Sequence, residues 1–413
     1  MRVCLVVFIF IFTSLAAEFK TVEQLSKSSK VLSVSYSMCE KLMNEKGFEW
    51  TSDYKKSKRT TKPLMVFGER SIESIIHFNK KRVSKIELLY YSKADSKAIS
   101  ASEFSKKTKT LGKGITKSIR AKSRKKLDAL KNVTYQWRKG STKYSLEVID
   151  RNSSGKSLEY IRLTIQSAKN KRVKFYSHNE LQRKVKKRSN GDVYISRFPM
   201  VDQGKKGYCV CASLSRVLQH FGRDVDQHEV ARMAKSGKQG TSYKDIKTTL
   251  VELAPQVYVT YRKIGDFALM PVMDLLYPGE LDFDGDVNER YKRAILKEAR
   301  RGRHSEGWRG ICEIIYNVMD SKKDDFKRNE RAIYNAIDLG RPIAWTLMVG
   351  FYPEKNIKEG EIGGHMRLII GYNREKGEII YTDTWGKGHE FKRISTRTAM
   401  MATTAMWELR PKL

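Results

Sequence analysis

Cys209 heads a run in which Val210, Leu214, Val217, Leu218 and Phe221 recur at helical spacing before Gly222 ends it. A thiol at the start of a helix meets unpaired backbone N–H groups and the positive end of the helix dipole. Both favour the thiolate, the nucleophilic form of cysteine. Gln203 lies six residues upstream, across a glycine-bearing turn, and its side-chain amide can donate to a developing oxyanion. A thiolate needs a base, and the base needs an orienting group. The stretches 363–373 and 379–386 supply both: His365 opens an apolar strand, and Asp383 ends a second strand after a turn. A hairpin of that length brings its two ends side by side. Gln203, Cys209, His365 and Asp383 together have the groups for nucleophilic attack on a carbonyl carbon.

The chain that must position them has 413 residues, of which 40% are hydrophobic, enough for two cores. Residues 1–16 have the form of a signal peptide: Arg2, then the apolar run 3–12, then Ser14, Leu15 and Ala16 before the expected cleavage. The run is short for a membrane span, and no other stretch is apolar enough for one. The mature protein is therefore expected to be secreted or periplasmic, with no transmembrane segment after signal removal. Of five cysteines, Cys4 would leave with the signal. Cys39, Cys209, Cys211 and Cys312 are too few for a disulfide scaffold in so long a chain. Pairing of Cys39 with Cys312 stays open.

Residues 17–190 read as a basic α+β domain. An apolar run at 64–67, closed by Gly68, suggests a strand. Ile72, Ile75, Ile76 and Phe78 suggest a short helix after it. Residues 102–131 form a lysine-rich helix with a thin apolar stripe of Leu111, Ile115, Ile119 and Leu127. Residues 134–138, 142–149 and 159–166 then alternate as a β-meander. The formal net charge is +35. It implies weak, salt-dependent attraction to anionic surfaces through this domain. No aromatic residues interleave the lysines, so no specific nucleic-acid partner is expected. Residues 169–190, including Lys186-Lys187-Arg188, read as an exposed linker, with the first cut of limited proteolysis expected in 184–190.

Residues 191–413 read as the catalytic domain. After the Cys209 helix, Asp226 starts a second helix and Thr241-Ser242 a third. The acidic loop 282–286 has its glycine at the wrong position for an EF-hand. Cys209, Cys211 and His365 lack a fourth ligand at recognised spacing, so neither a metal nor another cofactor is expected.

On these residues the second half, from about 194 to 413, resembles the papain-like cysteine peptidases. Within them it is closest to the branch whose peptidase domains remove double-glycine leaders from bacteriocins. Four features carry the resemblance: Gln203 six residues before Cys209, the Cys209 helix with its aromatic-glycine ending, His365 opening a strand that ends in Gly371-Tyr372, and Asp383-Thr384-Trp385-Gly386. The resemblance implies an α+β, papain-like fold, with the nucleophile's helix packed on an antiparallel sheet, after a separate small α+β domain. It implies that Cys209 is nucleophile, His365 base then acid, Asp383 the imidazole orienter, and Gln203 with the Cys209 N–H the oxyanion donors. Trp385 would shield the His365–Asp383 pair. Asp383→Asn is then expected to be mild, because asparagine can also orient an imidazole. Two features depart from the family: Cys211, which could oxidise with Cys209, and the long insert 254–329. The expected activity is hydrolysis of peptide or amide bonds in a peptide or protein substrate. A transglutaminase-like acyl transferase and a catalytically silent binding protein are the alternatives.

Overall fold

The computed structural model describes residues 19–412 apart from 29, 129–130, 153–154, 170–174, 205–206, 235, 237–239, 242, 266–322, 351–353 and 355–362. The proposed signal segment, the acidic loop and Cys312 lie outside the described residues.

The first half contains helices α1 (Val22–Lys27), α2 (Tyr36–Glu45) and α3 (Ala101–Ile119). Its strands are β1 (Glu49–Trp50), β2 (Ser57–Thr60), β3 (Leu64–Val66), β4 (Glu69–Ser71), β5 (Glu73–Asn79), β6 (Arg82–Ser92), β7 (Arg124–Leu127), β8 (Val133–Lys139), β9 (Thr142–Asn152) and β10 (Gly155–Ser167). Eight of them make one antiparallel sheet in the order β1-β2-β5-β6-β10-β9-β8-β7, larger than the sequence suggested. The meander 133–167 stands where its alternation put it.

The helix expected around 72–78 is instead β5. Ile76 and Phe78 are buried on one face, and β2 and β6 flank the strand on both sides. Helical spacing was compatible with Ile72, Ile75 and Ile76, but β-branched residues between two partner strands satisfy their backbone better in the ladder. The lysine-rich helix exists but ends at Ile119. Ser100 and Glu103 form its capping box, and Phe104, Leu111, Ile115 and Ile119 are its buried face. Leu127 falls on β7 and is exposed, so it is no part of the stripe.

The second half contains α4 (His178–Gln182), β11 (Val185–Lys187), β12 (Asp192–Ile195), α5 (Cys209–His220), α6 (Gln227–Met233), α7 (Tyr243–Gln256), β13 (Val259–Lys263), α8 (Lys323–Asp338), β14 (Ile343–Val349), β15 (Gly363–Asn373), β16 (Glu378–Thr382), β17 (Lys392–Ser395), α9 (Thr396–Ala402) and β18 (Thr403–Pro411). Its antiparallel sheet runs β11-β12-β15-β14-β18-β13, with β16 beside β15 and β17 beside β16. The second core gathers the buried face of α5 (Val210, Leu214, Val217, Leu218, Phe221) and the inner residues of this sheet. A separate apolar cluster belongs to the first half. The architecture is thus the expected one: α+β, with the helix that begins at Cys209 packed on an antiparallel sheet.

Part of the stretch expected as an exposed linker, 178–190, carries α4 and β11. Leu181 and Val185 belong to the second core, and β11 pairs with β12 through Val185–Ile195 and Lys187–Val193. Lys186 and Lys187 therefore lie exposed on a sheet edge. The two halves also touch. Arg162 of β10 is paired with Glu147 and with Asp226. The backbone N–H of Asp53 donates to Glu390 Oε1 at 2.6 Å.

Candidate active site

The register of the β15–β16 hairpin builds the face that carries His365 and Asp383. Leu368 pairs with Thr382, so Asp383, one residue on, comes level with Arg367, one residue back. Side chains two apart on a strand share a face, which sets His365 beside that pair. Accordingly, His365 Nε2 lies 2.7 Å from Asp383 Oδ1. Helix α5 is seated on the same strand. The Ser213 hydroxyl donates to the Met366 carbonyl at 3.3 Å. Arg216, 1% exposed, donates to the carbonyls of Pro199 and Asp383, each at 2.7 Å. Burial holds its guanidinium down, to about 10, against the attraction of Asp383.

With Nε2 committed to Asp383, the remaining ring nitrogen of His365, Nδ1, serves the hydrogen bond to the Cys209 thiol. Burial works against ionisation of Cys209. The hydrogen bond and charge of His365, with backbone contacts at Met366 and Val210, outweigh it and hold the thiol below its ordinary value. Burial likewise works against a charged His365, but the Asp383 carboxylate and the Cys209 contact raise it to about 9. Both shifts act in the direction of the thiolate–imidazolium form of the pair.

Asp383 is wholly buried. Burial opposes its charge, yet His365, Arg367 and the Thr384 N–H keep its carboxyl well below the usual carboxylate range. Oδ1 also accepts from the Thr384 N–H at 2.7 Å, and Oδ2 accepts from Arg367 Nε at 2.8 Å. The other end of the Arg367 guanidinium meets both oxygens of Glu354 at 2.8 Å, and Glu354 in turn accepts from Tyr381 and Lys392. Trp385 stacks on His365 with ring centroids 4.5 Å apart and an interplanar angle of 22°. The imidazole is therefore covered on one face, and the residue is only 8% exposed.

Gln203 is held from the same loop. Its backbone N–H donates to the Thr384 carbonyl at 2.9 Å, and the Thr384 hydroxyl donates to its side-chain Oε1. Fixing Oε1 in this way turns the amide's donor end, Nε2, to the opposite side. All four residues singled out in the sequence are thus gathered by α5, the turn before it and the β15–β16 hairpin.

Cys211 is elsewhere. Two residues along a helix is more than half a turn. Its thiol is buried against Ser236, 3.2 Å from that hydroxyl, so a link to Cys209 does not fit the helix geometry. Cys39 is unbridged, buried in the first core, and pushed up by burial to about 11. Among the described residues no cluster of three or more His, Cys, Asp or Glu could hold a metal ion.

Sequence reasoning missed Arg367 and Glu354. A signal for Arg367 was present: a lone arginine two residues after His365, on an otherwise apolar strand, must face inward with its neighbour. Glu354 comes from a polar loop and left no such mark.

Residues 197–270, which hold Gln203 and Cys209, match the Peptidase C39 family. No curated protein sequence matches the chain. Among solved structures, the peptidase domain of Streptococcus ComA, a bi-functional ABC transporter involved in a quorum sensing pathway, aligns with 52% of this chain and 99% of its own. It does so at 14% identity and a TM-score of 0.26. Residues 197–270 are thus similar to the peptidases of the C39 family, and they lie in an α+β half whose Cys209 helix packs on an antiparallel sheet.

Proposed function

We propose that the protein is an exported cysteine peptidase that hydrolyses peptide or amide bonds through Cys209, His365 and Asp383, with Gln203 as oxyanion donor. The observation that carries this is the 2.7 Å contact of His365 Nε2 with Asp383 Oδ1, which leaves the other ring nitrogen, Nδ1, for the Cys209 thiol. The Cys209 thiolate attacks the carbonyl carbon and forms the S–C bond. The oxygen takes the negative charge and is met by Gln203 Nε2 and the Cys209 N–H. Protonated His365 gives its proton to the departing amine as the C–N bond breaks. It then takes a proton from water, which attacks the thioester and frees the acid, restoring the thiolate and the imidazolium. Asp383 holds the tautomer and balances the charge throughout.

Cleavage of a library of internally quenched peptides tests the oxyanion assignment. Gln203→Ala is expected to lose on the order of a hundredfold or more in kcat. Unchanged kcat would remove Gln203 from the site. Export is the part of the proposal that rests on residues 1–16. N-terminal sequencing of exported material should begin at Ala17, and a cytosolic protein retaining Met1 would contradict it. The lysines on the outer face of α3, Lys106, Lys109, Lys113 and Lys117, are exposed. They support weak docking on anionic surfaces. Binding to vesicles of anionic lipid should fall as salt rises, and binding indifferent to salt would count against it.

A further inference from the structure

The turn that carries Gln203 is held from the first half of the chain. Arg59 lies on β2, in the first sheet, and is mostly buried. Its Nε is paired with Glu73, itself nearly inaccessible, and its Nη1 lies 3.2 Å from Asp202 Oδ2. Burial alone would lower the guanidinium's affinity for its proton, but Glu73 and Asp202 raise it, so the charge is secure.

Asp202 is a junction. Its Oδ1 accepts from the Gly204 N–H at 2.8 Å, closing the turn around Gln203. Its backbone carbonyl accepts from Gln227 Nε2 at 3.4 Å. Its carboxylate lies against Gly386, where a Cβ would stand 2.9 Å from Oδ2. Gly204 has φ +73, and a Cβ there would run into Nη2 of Arg59, so the guanidinium lies directly on the turn. The turn is thus fixed on one side by Thr384, through both the backbone and the side chain of Gln203. On the other side it is fixed by Arg59, through Asp202.

A second contact reaches the residue before the nucleophile. Tyr160 of β10 packs against His228, ring centroids 5.9 Å apart, and His228 packs against Tyr208 at 5.6 Å. Asp226, which binds Arg162 of β10, also holds His228 Nδ1 at 2.8 Å. The first half therefore supports both ends of the segment 202–209, and does so with buried charges and rings in place of an exchangeable surface.

We propose that the first domain is a built-in positioning element of the peptidase, and that Arg59 is a positioning residue that holds the oxyanion turn through Asp202. This rests on the peptidase reading given above. An N-terminal domain in this role stays with the catalytic domain and keeps Gln203 aimed. Its loss would affect steps that pass through an oxyanion and leave the thiolate pair itself alone.

Two small reagents separate these steps without knowledge of the substrate. Iodoacetamide alkylates a thiolate by direct displacement and needs no oxyanion hole. p-Nitrophenyl acetate acylates it through a tetrahedral oxyanion, read as a burst of nitrophenolate. In the full-length protein, Arg59→Ala should slow the burst by about tenfold or more while alkylation of Cys209 stays within about twofold, a fraction of what losing a donor outright costs. Asp202→Asn should act in the same direction, and Arg59→Lys should recover part of the rate. Because Arg59→Ala removes a buried partner of Glu73, the double variant Arg59→Ala/Glu73→Gln is measured beside it. It should show the same slowed burst at a melting temperature close to that of the parent. An unchanged burst in both variants overturns the clamp. An equal fall in alkylation and acylation also overturns it, because Arg59 would then serve only the fold. A parent protein that alkylates at Cys209 but gives no burst, or does neither, contradicts the peptidase reading itself.

Discussion

Cys209→Ala abolishes hydrolysis of peptide substrates, whereas Cys211→Ser leaves turnover nearly intact. The two thiols are two residues apart, yet they face different surroundings. Cys209 is partly accessible at the head of α5 and bonded to His365, with its ionised form favoured. Cys211 is wholly buried against Ser236, inside the core on which the helix rests. Serine for cysteine is nearly isosteric, so Cys211→Ser costs little packing and keeps a hydroxyl against Ser236. Alanine at the nucleophile removes the acyl-enzyme route, and the remaining groups provide only what the oxyanion site and binding contribute. Steady-state turnover of the two variants measures this. Loss of activity in Cys211→Ser with retention in Cys209→Ala would place the nucleophile two residues downstream and remove the role of Gln203.

Asp383→Asn costs on the order of a hundredfold or more in kcat, a larger effect than the family comparison implied. Asparagine orients an imidazole well where nothing else claims its second atom. Here the second carboxylate oxygen accepts from Arg367 Nε at 2.8 Å, and the first accepts from His365 and the Thr384 N–H. An amide has one acceptor end. Turned toward His365, it sets an NH2 against the Arg367 donor. Turned the other way, it sets that NH2 against His365 and favours the wrong tautomer. The buried charge of Arg367 also loses one of its two counter-ions, the fully buried one, which is costly in itself.

The pH dependence follows with the same sign. His365 is raised to about 9, so the protonated form that donates to the leaving amine persists to that pH, and turnover falls as pH rises through it. In Asp383→Asn the charge that raises His365 is gone, so this alkaline limb moves down toward the ordinary imidazole value of about 6.5. A limb that stays where it was would show that Asp383 does not face the base.

The catalytic half was legible because its signals are local. An amphipathic run ending in Gly222 fixes α5, and two apolar runs about a turn fix the β15–β16 hairpin that brings His365 to Asp383. What the sequence did not disclose depends on distant partners. Ile72, Ile75, Ile76 and Phe78 have a spacing that suits a helix as well as a strand, and β2 and β6 decide between them. Strand β18, near the end of the chain, lies inside the second sheet between β14 and β13, a position that no periodicity of its own announces. Arg367 shows in the sequence only as an anomaly in an apolar strand. The Arg59–Asp202 pair joins residues from opposite halves of the chain and leaves no mark in either stretch. Leu181 and Val185, apolar residues set among lysines, join the second core through contacts that their own stretch does not announce.

The most direct measurement of the central claim is the pH dependence of iodoacetamide labelling, with the labelled cysteine located by mass spectrometry. A thiolate held by His365 should label at Cys209 rapidly at pH 6 to 7, well below the ordinary thiol value of about 8.5. His365→Gln should shift that labelling to the alkaline range of a free thiol. Labelling that appears only as pH rises through about 8.5 in the parent protein, or that falls on Cys211, would contradict it.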